Sequence, residues 1–198
     1  MNGDDGTTQE PQEETCHPEV SKGGRAWRGL PLSRVLDVLA VLVVLFVAYR
    51  IFIAPRYLGT ANAHPAPHVT YQTLSGNQFV LTEQRGRVVF LDFWASWCEP
   101  CKLSLPLVEK FARAHPEVEV VAVDVGEPRA VVHQFAKTHG MRNVALDPQA
   151  LSRGFFQIEG FPTMVVVDPQ GRIRATWTGF NPAIQMNMAH AAQALRSS

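Results

Sequence analysis

Cys98 and Cys101 stand with only Glu99 and Pro100 between them, at the junction of two stretches of opposite character. Before them, Val88 to Trp94 is a short apolar run broken only by Asp92, rich in β-formers, as for a strand buried on both faces. After them, Lys102 to Ala114 carries Leu103, Leu107, Val108, Phe111 and Ala112 on one helical face, and Pro106 predicts a kink there. A strand that feeds a helix through a thiol-bearing turn narrows the choice of fold. The strand must lie inside a covered sheet, the helix must pack on that sheet, and the first sulfur must stand at the helix N-terminus.

The chain has 3 cysteines, too few for a disulfide scaffold. A C-x-x-C is either half of a zinc site or a redox pair. A structural zinc site needs a second ligand pair, and no other C-x-x-C or C-x-x-H occurs, so the count favours redox chemistry with no bound metal or cofactor. Cys16 lies far away in a polar tail and reads as incidental. Lys and Arg number 18 against 18 Asp and Glu. That balance gives no basic excess for nucleic acid and no acidic excess for a solvating tail.

Residues 1–34 are polar and acidic up to about Gly24 and read as a disordered tail. Residues 35–54 are nearly all apolar and match the ~20 residues that cross a bilayer as a helix. Asp37 and Arg50 fall near the ends of that run, where charge costs less, and Trp27, Tyr49 and Tyr57 suit headgroup regions. Lys22, Arg25, Arg28 and Arg34 precede the helix, whereas only Arg50 and Arg56 follow before Arg85. The excess predicts a cytoplasmic N-terminus and an exported remainder. A rival is cleavage after Ala61-Asn62-Ala63 as a signal peptide; the long N-terminal region argues for an uncleaved anchor. Residues 55–68, rich in Pro, Ala and His, read as a spacer.

Residues 69–198 are domain-sized. Strands are predicted at Phe79–Leu81, Val88–Trp94, Glu119–Asp124, Val144–Leu146, Thr163–Asp168 and Arg172–Trp177, the last two joined by the turn Pro169-Gln170-Gly171. Helices are predicted at Lys102–Ala114, Pro128–His139, Ala150–Phe156 and Pro182–Leu195. The order predicts an α/β fold with a mixed central sheet and helices on both faces. Trp177 and Phe180 read as packing the sheet edge.

Three groups carry the chemistry. The free N–H groups and partial positive charge of a helix start stabilise a thiolate at Cys98, which attacks a substrate disulfide; Cys101, one turn on, resolves the mixed disulfide. Pro100 costs nothing at an early helix position, and Glu99 is expected to oppose the dipole and make the pair more reducing. Asp92, a carboxylate within an apolar strand, reads as a desolvated acid that takes a proton from Cys101; the plainer alternative is a strand-end residue that reaches water. In Gly160-Phe161-Pro162-Thr163, a proline opening an apolar strand predicts a cis Phe161–Pro162 bond, with the Phe161 backbone turned to an extended substrate.

The run Phe93-Trp94-Ala95-Ser96-Trp97-Cys98-Glu99-Pro100-Cys101-Lys102, with Pro106 and the Gly160–Thr163 segment, resembles the active site of the thioredoxin superfamily. With a preceding apolar helix, Glu-Pro between the cysteines, and a long stretch from Cys98 to Pro162, it is most similar to the membrane-anchored TlpA/ResA-type thiol–disulfide reductases. The resemblance implies a thioredoxin-like fold with a helix-containing insert at about 126–147. It also implies a Cys98–Cys101 disulfide and a substrate surface at Trp97, Glu99, Pro100, Phe161, Pro162 and Thr163. The implied setting is the outer side of a bacterial inner membrane, with protein disulfide substrates, often in cytochrome c maturation, and electrons from a membrane thiol donor. Two positions depart from the family pattern: Ser104 stands where many members carry Glu, and Asp92 matches the buried aspartate of plain thioredoxin. Competing readings are a disulfide-donating oxidase, which Glu99 opposes, and a Cu(I)-binding assembly chaperone, which lacks a nearby His. A peroxiredoxin-like enzyme would need an isolated cysteine instead.

Overall fold

A computed structural model describes residues 32–49 and 63–196. Helix α1 spans Leu32–Ala48. Its apolar side chains, among them Leu36, Val44 and Phe46, are exposed. At 1.5 Å per residue its 17 residues span ~26 Å, and no helix among the described residues is long and apolar enough to cross a membrane. Residues 50–54 of the expected span, the tail up to residue 31, and most of the spacer lie outside the described residues.

The second unit is built on one mixed sheet. Its strands are β1 (His64–Pro65), β2 (Thr70–Thr73), β3 (Gln78–Val80), β4 (Val89–Trp94), β5 (Glu119–Val125), β6 (Val144–Asp147), β7 (Thr163–Val167) and β8 (Arg172–Thr178). They lie side by side in the order β1-β8-β7-β4-β5-β6-β2-β3. β4, β5 and β6 run parallel and every other pair is antiparallel. β4 sits in the middle and is buried along its whole length, as its apolar run requires.

Helices α2 (Glu99–Ala114), α3 (Arg129–His139) and α5 (Ile184–Arg196) share one face of the sheet. Val108 and Phe111 of α2 and Ile184, Met188 and Leu195 of α5 cluster with Val88, Phe90 and Val166. Val132 and Ala136 of α3 cluster with Trp94, Ala122 and Val144. The opposite face, carrying Leu91, Phe93, Val121, Val123 and Val165, is closed by Tyr71, Phe79, Phe156 and Ile158. On that side, among the described residues, the only α-helix is the four-residue α4, Ser152–Phe155, shorter than the predicted 150–156, joined by a 3-10 turn at Leu81–Gln84. The expected helical cover on both faces is therefore unequal, because hairpin β2–β3 and the chain after α4 do much of the covering.

Three further departures share a cause in pairing across the chain. His64 and Pro65, placed in the spacer by composition, pair with Ile173 and Arg172 at the sheet edge. Thr70–Thr73, unmarked by periodicity, is held between β3 and β6. Trp177 is not at the sheet edge but buried among α5 side chains, whereas Phe180 is 41% exposed.

Candidate active site

Helix α2 starts where the β4 strand ends, and the two cysteines straddle its first turn. Cys98 is the N-cap, with extended backbone, and its Sγ accepts the backbone N–H of Cys101 at 3.2 Å. This is the thiol-at-helix-start geometry that stabilises a thiolate, by the dipole and by an amide that Sγ shares with the Cys98 carbonyl at 3.0 Å. Cys98 and Cys101 form a disulfide in the structure, and both are buried. Helix α2 opens at Glu99, three residues before the sequence boundary, because the capping sulfur starts it there. It continues through Pro106.

Asp92 does not reach water. It is 1% exposed, at the centre of the sheet between Ala122 of β5 and Met164 of β7. Strand alternation puts it on the same face as Trp94, which packs with both cysteines. Its Oδ2 receives no hydrogen bond. Burial, and secondly the negative charge of Glu109, push its carboxyl up to about 7. An acid so placed is protonated in weakly acidic conditions and titrates near neutrality, which is what a proton acceptor for a thiol requires.

The residues expected to meet substrate are divided by the structure. Trp97 is 63% exposed, and its ring meets Phe161 edge-on at 5.8 Å between centroids. The guanidinium of Arg153 lies over the other partner, 4.8 Å from the Phe161 ring centre. Glu99 and Pro100 are also exposed. The Phe161–Pro162 bond is cis, with Pro162 buried and its carbonyl accepting the Gly179 amide at 2.8 Å. Thr163 differs from expectation. It is buried, and its hydroxyl donates to the Gly160 carbonyl at 2.7 Å and meets the Thr178 hydroxyl at 3.2 Å, so its side chain braces the loop from within. Glu99 also differs, since its carboxylate pairs with Lys102 Nζ at 2.5 Å.

A second carboxyl group stands beside the cysteine turn, and the sequence reading passed over it. Glu127 accepts the Ser96 N–H at 2.5 Å and the Ser96 hydroxyl at 2.7 Å, one on each oxygen. Its own N–H donates to Asp124 Oδ1 at 3.3 Å. Asp124 is the next-to-last residue of β5, opposite Trp94 in register, and is fully buried. One signal for it existed: like Asp92, it is a carboxylate inside an apolar run. Glu127 follows Gly126, whose φ of +92° turns the chain in a way that side-chain-bearing residues resist. No local pattern announces that contact. Ser104, the position that departs from the family pattern, is buried in α2.

Comparison with known proteins agrees with this geometry. Residues 86–173 match the Thioredoxin-like family. The thiol-disulfide oxidoreductase ResA of Halalkalibacterium halodurans is 31% identical over 163 residues, which is 81% of this chain and 90% of that protein. ResA of Geobacillus kaustophilus is 30% identical over 154 residues, 74% of this chain and 88% of that protein. The match to Bacillus subtilis ResA, at 33% identity, spans 65% of that protein. Among solved structures, a putative thiol:disulfide interchange protein DsbE from Chlorobium tepidum superposes with a TM-score of 0.63. It is 28% identical, and the superposition covers 68% of this chain and 96% of that one.

Proposed function

The chain belongs to the ResA-type thiol–disulfide oxidoreductases of the thioredoxin superfamily, and from that premise we propose that it reduces disulfides of exported proteins while held on the outer face of a bacterial inner membrane. The observation that carries thiol–disulfide exchange is the Cys98–Cys101 pair at the start of α2, with the Cys98 sulfur on a backbone amide; the direction rests on the likeness to ResA-type proteins.

Three steps follow. The Cys98 thiolate attacks one sulfur of a substrate disulfide; the other leaves as a thiolate, and a mixed disulfide remains. Asp92 takes the proton of Cys101. The Cys101 thiolate then attacks the Cys98 sulfur, closes the Cys98–Cys101 bond, and releases the second substrate thiolate. Two electrons pass to substrate, and a membrane thiol donor returns two. Trp97, Phe161, Glu99 and Pro100 form the docking surface, backed by Pro162, and Thr163 supports it from below. Apocytochromes c are a candidate substrate class.

Residues 35–54 serve as the anchor, with 1–34 in the cytoplasm and 69–198 outside. The exposed apolar side chains of α1 support the anchor, and the basic residues before it support this orientation.

The test is the equilibrium reduction potential of the protein in thiol–disulfide buffers. Thioredoxin lies at ~−270 mV and the oxidant DsbA at ~−120 mV. A value at or below roughly −220 mV supports a reductase. A value near the oxidant end reverses the direction of transfer and makes disulfide donation the function. In parallel, Cys98→Ser is expected to abolish turnover, and Cys101→Ser to accumulate mixed disulfides with substrate, seen as thiol-sensitive bands on non-reducing gels. Failure of Cys101→Ser to trap any partner counts against the scheme.

A further inference from the structure

Asp124 and Glu127 are two carboxyl groups held together at the one place where β5 meets the cysteine turn. Glu127 spends both oxygens on Ser96, one on the amide and one on the hydroxyl. Accepting two donors in this way suits an ionised carboxylate. Ser96 lies inside the turn that the Cys98 N–H closes onto the Ala95 carbonyl at 3.1 Å. A shift of Ser96 therefore moves the cap of α2 and its sulfur.

Asp124 holds Glu127 from behind. Its Oδ1 takes the Glu127 amide, while its Oδ2 is buried and receives no N–H or O–H. Ionised, Asp124 would carry an orphaned buried charge against a second carboxylate. Protonated, it can donate to Glu127 and leave that group charged for Ser96. We propose that Asp124 and Glu127 share one proton and act as positioning residues, the protonated Asp124 keeping Glu127 clamped on Ser96 and so fixing where the Cys98 sulfur stands.

The titration behaviour agrees. Burial first, then the hydrogen bond and charge of Glu127, push Asp124 up to about 8. Burial alone would raise Glu127, yet hydrogen bonds from Asp124 and Ser96 together bring it below the usual range. The other groups that bear on Asp124 come from several elements. Asp147 ends β6 and adds a further upward push. Asp92 lies on β4, on the same face. Cys98, the cap of α2, and Cys101, in its first turn, cluster with Trp94, the register partner of Asp124. Arg129 of α3 is committed to the carbonyls of Thr73 and Leu74. None of these supplies a cation to Asp124.

The proposal rests on Cys98 as the attacking thiol, and the experiment separates the two. The rate of disulfide reduction is followed against pH for the full chain and for Ser96→Ala, Glu127→Gln, the double variant and Asp124→Asn. Thiolate absorbance of the reduced proteins is titrated in parallel, with circular dichroism to confirm folding. The wild-type rate is expected to fall on the alkaline side of about pH 8, as Asp124 ionises and repels Glu127, and Asp124→Asn to lack that fall. Ser96→Ala and Glu127→Gln are each expected to lower kcat with little change in KM, Glu127→Gln by roughly tenfold, and the double variant to be no slower than Glu127→Gln. An alkaline fall that persists in Asp124→Asn, or losses that add in the double variant, overturns the proposal. Should Glu127→Gln fail to fold, the Asp124→Asn pH profile decides alone. Should the wild type reduce no disulfide, the reductase reading fails. The thiolate titration then decides the clamp: a second step near pH 8, present in wild type and absent from Asp124→Asn, supports it, and identical titrations overturn it.

Discussion

Asp92 carries, at the scale of one residue, a cost to stability that its proposed role in proton transfer would explain. In the unfolded chain its carboxyl loses its proton near pH 3.8; in the folded chain it does so near 7. Between those values the folded state binds more protons than the unfolded one. Stability contributed by this group therefore falls as pH rises from about 4 to about 7, then stays level. Asp92→Asn removes the cost, and is expected to raise stability at neutral pH by roughly 2–4 kcal/mol in urea unfolding. The same variant is expected to slow resolution of the mixed disulfide by roughly a hundredfold, measured as the decay of a trapped Cys98 adduct. A variant that is both less stable and fully active would show that Asp92 has no such role.

Helix α2 joins chemistry to core at the scale of the element. Its first turn carries the disulfide, and its later turns carry Val108 and Phe111 into the cluster under α5. Phe111 meets Phe90 edge-on at 5.7 Å, with Phe90 fully buried on the central strand. Phe111→Ala is expected to cost about 3–5 kcal/mol in urea unfolding, with the reduction potential of the disulfide little changed, since the lost contacts lie well along the helix from the cap. A large change in potential would mean that the cysteine turn is tuned through the whole helix rather than locally. Lys102, by contrast, is tied to an exposed Glu99, and removing that pair should alter stability only slightly.

For the whole molecule, the decisive question is how residues 32–49 and the domain beyond are arranged in the cell. If 35–54 anchor the chain, the full protein stays with membranes after high-salt and alkaline washing. External protease on spheroplasts then removes the domain and spares the tail. Recovery in the soluble fraction, with a new N-terminus after Ala63, would instead show a cleaved signal. The edge strand gives a further expectation. A chain beginning at residue 63 keeps the β1–β8 pairing and the hydrogen bond from Ala66 N–H to the Gly171 carbonyl at 3.0 Å. One beginning at 69 loses them, and should be less stable by about 1–3 kcal/mol in urea unfolding, at roughly 1 kcal/mol per hydrogen bond.

Much was determined by the sequence itself, where the signal is local. The apolar run Val88–Trp94 specifies a covered strand, the spacing of Leu107, Val108 and Phe111 specifies a helix, and Cys98 at their junction puts a sulfur on a helix start. Each depends only on neighbours a few positions away, and the same is true of Phe161–Pro162. The tertiary structure alone decided what long-range pairing creates. His64–Pro65 and Thr70–Thr73 are strands because β8 and β6 offer them partners. Thr163 turns inward because Gly160 and Thr178 accept and meet its hydroxyl. Glu127 reaches Ser96 because Gly126 turns the chain at the end of β5, next to the strand that leads into the cysteines. Burial and pairing of a charge depend on what stands opposite it, and in this fold what stands opposite comes from residues about thirty positions away.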